Sequence, residues 1–262
     1  MRGCVCNPYL PLWEYVPDGE PRIFGDRLYI YGSHDRSGGD FFCLEDYVVW
    51  SAPLEDLADW RCEGISYRRE QDPHNTDGRW ELFAPDVVQG ADGRYYLFYC
   101  LRMQKEFGVA VSDSPAGPFS FYCHLRRRDG SLFDSEMPYD PSVLVDSDGR
   151  VYLYYGYTSE TIAARFGAEA SGGCMVVELS PDFHTVLTEP KVCLPRDIHT
   201  AGTGFEGHGY YEAPSMRKFG KTYYLVYSSE VCHELCYGYS DRPDSGFSFG
   251  GVLVSNGDMG LK

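Results

Sequence analysis

Four similar runs recur along the chain, and each consists of a turn signal followed by a strand of aromatic and β-branched residues. They occupy residues 25–33, 92–100, 148–156 and 220–228. The second and third begin with Asp-Gly, which suits a tight turn requiring positive φ, and the other two begin with glycine. We therefore predict that each run is one arm of a β-hairpin.

The spacing of these runs favours a radial arrangement of sheets. If Tyr29, Tyr96, Tyr152 and Tyr224 are equivalent, the runs repeat every 56 to 72 residues, enough for one four-stranded sheet and its loops. Radially repeated sheets of this size form a β-propeller. A β-sandwich is the main alternative, but it predicts shorter and less similar repeats. The prediction is an all-β propeller with about four blades, formed as a single domain by residues 1–262.

Composition and charge narrow the class of ligand. The chain is 43% hydrophobic with 22 Tyr and 15 Phe, which supports a buried core. Its net charge of −16 argues against nucleic acid, because phosphate binding depends on clustered Lys and Arg. The sequence has no apolar run of the length of a secretory signal or a membrane helix. We therefore expect a neutral polar ligand, no membrane partner and a cytoplasmic location.

The ten cysteines are scattered through the chain, and several lie in aromatic strand-like runs, which favours reduced and mostly buried thiols. Two short motifs could supply metal ligands: Cys4 with Cys6, and the segment from Cys232 to Cys236. Neither has a second half at zinc-finger spacing, so no metal ligand is predicted.

Four acids precede the repeat tyrosines by 10 to 12 residues, each with a proline nearby: Asp18, Asp86, Asp140 and Glu212. Any one of them is explained by the common use of Asp before Pro to begin a loop. Their matching offsets in a radial repeat predict instead that the acids meet in one pocket. Two carboxylates with different pKa values are the apparatus of glycoside hydrolysis, in which one protonates the leaving oxygen and the other activates water.

The segments around these acids, together with residues 27–35, resemble the successive motifs of glycoside hydrolase family 43. The motif segments are residues 16–21, 84–87, 139–146 and 206–216. This resemblance implies a five-bladed propeller and an inverting exo-glycosidase that hydrolyses terminal α-L-arabinofuranosyl or β-D-xylosyl residues of plant-derived oligosaccharides. A carbohydrate-binding propeller without catalysis is the alternative. A retaining fructosidase of a related superfamily is a third possibility. Such an enzyme would have a nucleophile motif near its start, and the segment that begins at residue 7 does not supply one.

The resemblance also implies roles for three acids. Asp18 matches the general base, Asp140 the residue that modulates the pKa of its partner, and Glu212 the general acid. Glu20 competes with Asp18, but it is two residues closer to the repeat tyrosine. Glu206 competes with Glu212, which has the repeat offset and precedes Ala-Pro.

Three further residues are candidates for substrate binding. Phe83 stands where many family members have a tryptophan, and a packed core phenylalanine is the alternative. His34, at the end of the first repeat strand, is predicted to reach the pocket rim, although a structural role is common for a lone histidine. Asp86 belongs to a blade without a catalytic acid in this family, so we expect a sugar-contacting or structural role.

The pattern has no fifth run after residue 228. The resemblance therefore predicts a chain that lacks the last blade, including a histidine that often helps to hold calcium in the central channel. No cofactor is predicted to be required, and calcium in the channel stays an option. The predicted partner is a small carbohydrate, and the oligomeric state is left open.

Overall fold

Residues 8–135, 137–165, 167–231 and 234–255, the part of the chain described by a computed structural model, contain sixteen β-strands. Every four consecutive strands form one sheet, in which the strands are ordered as they are in the chain. We call these sheets blades 1 to 4.

The bounds of the strands show how each repeat is divided. Blade 1 contains β1 (Glu20–Phe24), β2 (Arg27–Tyr31), β3 (Tyr47–Pro53) and β4 (Arg61–Tyr67). Blade 2 contains β5 (Asp86–Gln89), β6 (Tyr95–Cys100), β7 (Phe107–Ser112) and β8 (Ser120–His124). Blade 3 contains β9 (Ser142–Val145), β10 (Val151–Tyr155), β11 (Gly173–Leu179) and β12 (Lys191–Pro195). Blade 4 contains β13 (Tyr210–Phe219), β14 (Thr222–Ser229), β15 (Leu235–Ser240) and β16 (Ser248–Val254).

The recurring runs of the sequence become the second strand of each blade and the turn before it. The turn glycines all have positive φ: Gly25, Gly93, Gly149 and Gly220, at +61°, +83°, +85° and +62°. Each of these strands pairs antiparallel with the first strand of its blade. The hairpin prediction is therefore confirmed.

The prediction of an all-β propeller fold with four blades in this chain is also confirmed. The regular elements outside the sheets are short. They are α1 (Glu160–Arg165), which joins β10 to β11, and two 3₁₀ turns at Arg69–Gln71 and Asp197–His199.

The described residues cluster into two compact units. Unit 1 runs to Met103 and includes Gly108–Cys123, whereas unit 2 comprises Gln104–Phe107 and the chain from His124 onward. The prediction of a single domain over residues 1–262 stays a prediction.

Each unit has its own aromatic core. In unit 1, Tyr31, Tyr47, Tyr67 and Tyr99 are among the largest fully buried side chains. The hydroxyl groups of Tyr67 and Tyr99 lie 2.9 Å apart, and that of Tyr99 donates to the buried Asp72. Buried hydroxyls that find partners in this way keep a tyrosine-rich core satisfied.

The core of unit 2 lies between blades 3 and 4. It includes Tyr154, Tyr210 and Tyr227, and three of the chain's cysteines, Cys174, Cys193 and Cys236. The Oη of Tyr154 donates to the carbonyl of Pro243 at 2.7 Å. As in unit 1, tyrosine supplies both apolar area and a satisfied polar end.

Seven of the cysteines lie in the described residues, where all seven are free and all but Cys62 are buried. The prediction of mostly buried cysteines is confirmed for these seven, and their reduced state stays a prediction. Cys4, Cys6, Cys232 and His233 lie outside the described residues.

Among the helices of the described ranges, none has the length and apolar character needed to cross a membrane.

Candidate active site

Asp18 lies two residues before β1 and has a left-handed backbone, with φ of +57°. Aspartate tolerates this conformation better than most residues do. Its carboxylate accepts a hydrogen bond from the buried hydroxyl of Ser33, at the end of the hairpin arm β2. Sequence reasoning missed Ser33, although a residue following the second strand of a hairpin lies opposite the residue preceding the first.

The electrostatic setting of Asp18 favours its protonated form. The residue as a whole is exposed, but its carboxyl group is surrounded by enough protein that loss of solvation raises its pKa. The charge of Asp35 raises the pKa further, whereas the hydrogen bond from Ser33 lowers it. The net shift is upward, which makes Asp18 a stronger base than an ordinary aspartate.

Asp140 occupies the corresponding place in blade 3. It also lies two residues before the first strand, β9, and its φ is +56°. Its Oδ2 accepts the backbone N–H of Ala213 at 3.0 Å, and Ala213 directly follows Glu212 in β13. Two of the predicted site acids, Asp140 and Glu212, are thereby tied together within unit 2.

Glu212 is half-buried and lies in an irregular part of β13. The pairing of β13 with β14 shifts on both sides of Glu212, between Tyr210 and Glu212 and again between Glu212 and Ser215. Bulges of this kind change the direction in which a side chain points and are common beside active sites. The structure therefore offers a local reason why this glutamate is not an ordinary alternating strand residue.

The strand register revises the equivalence of the acids. In blades 1, 3 and 4 the repeat tyrosine pairs with one residue of the first strand: Arg22, Leu144 and Arg217. The residues four positions before these are Asp18, Asp140 and Ala213, which therefore occupy equivalent positions. Their φ values are +57°, +56° and +56°. Glu212 lies one residue before this position. Its distance in residues from Tyr224 equals that of Asp140 from Tyr152 only because the loop between the first two strands is shorter in blade 4 than in blade 3. Counting to the tyrosine alone concealed that difference.

Tyrosines surround the Asp140 and Glu212 pair. The hydroxyls of Tyr157 and Tyr211 lie 3.0 Å apart, and the Oη of Tyr210 donates to the carbonyl of Gly156 at 2.8 Å. Burial raises the pKa of Tyr210, and the charges of Asp140 and Glu212 raise it further. Sequence reasoning did not name these tyrosines, although two of them directly precede Glu212.

Asp86 is fully buried and forms an ion pair inside unit 1. Its carboxylate accepts Nε of Arg22 at 2.8 Å and also contacts Nη2 of Arg22. Arg22 is on β1 and Asp86 begins β5, so the pair joins blade 1 to blade 2. This geometry favours the structural role for Asp86, and its contact with a substrate stays a prediction.

Phe83 is 8% exposed and packs 5.5 Å from the ring of the exposed Phe42. Its carbonyl accepts a hydrogen bond from the buried hydroxyl of Tyr47. These contacts fit the packed-core alternative for the ring, and the sugar-platform role stays a prediction.

His34 uses both ring nitrogens within the protein. Nδ1 lies 2.8 Å from the carbonyl of Asp46, and Nε2 lies 2.9 Å from Oε1 of Glu14. The other oxygen of Glu14 accepts the indole N–H of Trp50. Substrate contact by His34 stays a prediction, and it would use the ring face or displace one of these partners.

The two competing acids have partners elsewhere. Glu20 lies 3.5 Å from Nη2 of Arg22, and Glu206 accepts the backbone N–H of Gly202 at 3.0 Å. Neither has the left-handed backbone of Asp18 or the bulge of Glu212.

Two further acids, Asp146 and Asp148, lie beside the hairpin turn of blade 3, and Asp146 is more than a turn residue. The backbone N–H of Asp146 does bond Arg150 across the hairpin at 2.8 Å. However, its side chain is buried and accepts hydrogen bonds from Lys218 and Tyr223 of blade 4. Asp148, by contrast, is an exposed residue of the turn and forms an ion pair with Arg150.

Comparison with known proteins decides the family. Residues 16–245 match the model of Glycosyl hydrolases family 43. This chain belongs to glycosyl hydrolase family 43. The match runs from before β1 to the end of β15, so it leaves out only β16 of the sixteen described strands, and it includes the positions of Asp18, Asp140 and Glu212.

Individual relatives agree with this assignment. The chain is 51% identical over 263 residues to a xylosidase/arabinosidase of Thermoclostridium stercorarium, covering 99% of this chain and 54% of that protein. It is 30% identical to a xylosidase/arabinosidase of Bacteroides ovatus, covering 94% of this chain and 80% of that protein. This family 43 chain thus spans about half the length of the first relative and four-fifths of the second.

A solved structure of the family has the same fold. It is a β-xylosidase/α-arabinofuranosidase from a compost microbial metagenome in complex with xylotriose, in a calcium-free form. The TM-score is 0.74 at 26% identity, covering 96% of this chain and 81% of that chain.

Proposed function

We propose that this chain is an inverting exo-glycosidase that removes terminal α-L-arabinofuranosyl or β-D-xylosyl residues from plant-derived oligosaccharides. The observation that carries the proposal is the hydrogen bond from the Ala213 N–H to Asp140, which sets one carboxylate beside the residue that follows Glu212. The names of the relatives, xylosidase/arabinosidase, support the two sugar classes.

Glu212 acts as the general acid and gives its proton to the oxygen of the leaving group. A general acid must hold that proton at neutral pH, and a nearby negative charge favours the protonated form of a carboxyl group. Asp140 supplies the charge.

Asp18 acts as the general base and takes a proton from the attacking water. The hydrogen bond from Ser33 fixes one carboxylate oxygen, which leaves the other for the water. Because its pKa is raised, Asp18 accepts a proton more readily than an ordinary aspartate does. Attack by free water on the face opposite the leaving group gives inversion, and the reaction uses no cofactor.

The first test compares turnover of nitrophenyl α-L-arabinofuranoside and nitrophenyl β-D-xylopyranoside by the wild type, Asp18→Asn and Glu212→Gln. Loss of a general acid or base lowers the rate by about 100- to 10,000-fold. Asp148→Asn, at an exposed turn, is the matched control and should keep the wild-type rate.

A second substrate separates the two roles. A dinitrophenyl xyloside has a leaving group that departs without protonation, so Glu212→Gln should regain most of its rate on it, whereas Asp18→Asn should not. NMR of the first sugar released should show the inverted anomer. A retained anomer, or wild-type rates in both variants, would overturn the proposal, and sugar binding by calorimetry without product would favour the carbohydrate-binding alternative.

A further inference from the structure

A second group of polar side chains lies in blade 4, apart from the proposed reaction. His208, Glu234 and Cys236 each place one potential metal-ligand atom within 4.8 Å of the others. Nδ1 of His208 lies 2.7 Å from Oε2 of Glu234, and Sγ of Cys236 lies 3.9 Å from the same oxygen. The sequence had indicated the segment from Cys232 to Cys236 as a possible half-site, and the fold adds a histidine from 26 residues earlier.

We propose that His208, Glu234 and Cys236 bind a divalent transition metal ion of the zinc class. A nitrogen, an oxygen and a sulfur donor suit zinc, whereas calcium and magnesium take oxygen ligands. Three protein ligands leave a fourth tetrahedral position for water or another side chain.

The distances fit such a site after small rotations of the side chains. Ligand atoms of a tetrahedral zinc site with bonds of 2.0 to 2.3 Å lie roughly 3.3 to 3.7 Å apart. The 2.7 Å contact between His208 and Glu234 must therefore open by about 0.6 to 1 Å, and a separation at the 4.8 Å limit of the cluster would close by about 1.1 to 1.5 Å. Binding releases the Cys236 thiol proton to solvent, because the thiolate is the ligand.

The backbone and ring of His208 are already fixed. Its N–H donates to the carbonyl of Phe205 at 2.8 Å, and its carbonyl accepts the hydroxyl of Tyr227 at 2.6 Å. Its imidazole stacks on Phe249 with centroids 4.7 Å apart and planes 9° apart. A ligand held in this way loses little freedom when it binds a metal.

Glu234 and Cys236 are held equally firmly. The backbone N–H of Glu234 donates to Oγ of Ser229, and the N–H of Ser229 donates to the carbonyl of Glu234. Oε1 of Glu234 accepts the hydroxyl of Ser255 at 3.3 Å, which leaves Oε2 facing His208. Cys236 is fully buried on β15 and pairs with Tyr227 of β14.

The test uses the full chain, stripped of metal with a chelator and titrated with Co²⁺. A cobalt–thiolate site gives a near-ultraviolet charge-transfer band, and we expect one equivalent that Zn²⁺ displaces. Cys236→Ser should abolish the band, and His208→Gln, at a half-exposed position, should weaken binding by at least about 100-fold. Cys62→Ser, at an exposed free cysteine, is the control and should keep both band and affinity.

The alternative is an ion pair between His208 and Glu234 beside an inert buried thiol. Absence of stoichiometric binding would establish it and overturn the proposal. The same conclusion follows if the band survives in Cys236→Ser but is lost in Cys232→Ser. These readouts do not involve turnover, so they are independent of the proposed glycosidase activity.

Discussion

The ion pair between Arg22 and Asp86 provides the sharpest test of the structure. Asp86 is fully buried, and it receives two hydrogen bonds from Arg22 and one from its own strand at Val87. Asp86→Asn keeps the shape of the side chain but removes its charge, which takes the main partner from the partly buried guanidinium of Arg22. We expect a large loss of stability with no direct effect on sugar binding.

The magnitude follows from the surroundings of the pair. Removing one partner from a buried ion pair costs about 3 to 5 kcal/mol. Glu20 remains 3.5 Å from Nη2 of Arg22 and compensates in part, so we expect the lower end, about 3 kcal/mol. With a urea m-value of about 2 to 3 kcal/mol/M, the unfolding midpoint should fall by about 1 to 1.5 M.

The assay is urea unfolding at pH 7, followed by fluorescence, with Asp92→Asn as the control. Asp92 makes the same type of bond to Nε of Arg94, at the same 2.8 Å, but both side chains are 42% exposed. The control should not move the midpoint, because exposed pairs contribute little.

A fall in the midpoint of less than about 0.3 M for Asp86→Asn would refute the reasoning. If the variant instead raised KM about tenfold or more at an unchanged midpoint, Asp86 would be a substrate-binding residue. A double-mutant cycle with Arg22→Met should show strong coupling, since the two side chains are in direct contact.

Three further substitutions should change stability in distinct ways. Asp18→Asn should abolish turnover and raise the unfolding midpoint at pH 7, because folding disfavours the ionised form of Asp18 and asparagine has no charge. The difference in midpoint between the variant and the wild type should disappear as the pH falls through the raised pKa of Asp18 and below the ordinary value. Asp146→Asn should lower the midpoint at pH 7: burial alone would raise the pKa of Asp146, but its hydrogen bonds lower it overall. The loss should shrink as the pH falls below the ordinary pKa of aspartate and disappear only below the lowered pKa of folded Asp146, where the wild-type carboxylate is protonated as well. Gly209→Ala should cost about 1 to 3 kcal/mol, because a Cβ there would lie 2.2 Å from the backbone nitrogen of Asp197. Gly204→Ala, whose Cβ would meet its nearest atom at 3.6 Å, should leave the midpoint in place. Thermal and urea unfolding at several pH values would check all three, and a midpoint of Asp18→Asn below that of the wild type would contradict the first.

The turns and strands were predictable because their signals are local. A glycine with positive φ and the alternating strand after it lie within nine residues, so each repeat could be found without knowledge of the fold. The acids Asp18 and Asp140 were found in the same way, since both lie a fixed distance before a hairpin.

The long-range pairs were not predictable from the sequence. Arg22 and Asp86 are 64 residues apart, and Lys218 and Asp146 are 72 apart, so neither pair leaves a local pattern. The position of Glu212 in its repeat was not predictable for another reason. Its position one residue before the equivalent of Asp140 and the shorter loop of blade 4 cancel in the count to the tyrosine, and only the strand register separates the two effects.

The left-handed turn before the first strand has a consequence for how such repeats diverge. It is present in blade 3 with aspartate and in blade 4 with Ala213, a residue that gains nothing from that conformation. The backbone form therefore does not depend on an aspartate side chain at this position. A carboxylate can then be gained or lost at this position by one substitution, without rebuilding the hairpin that presents it.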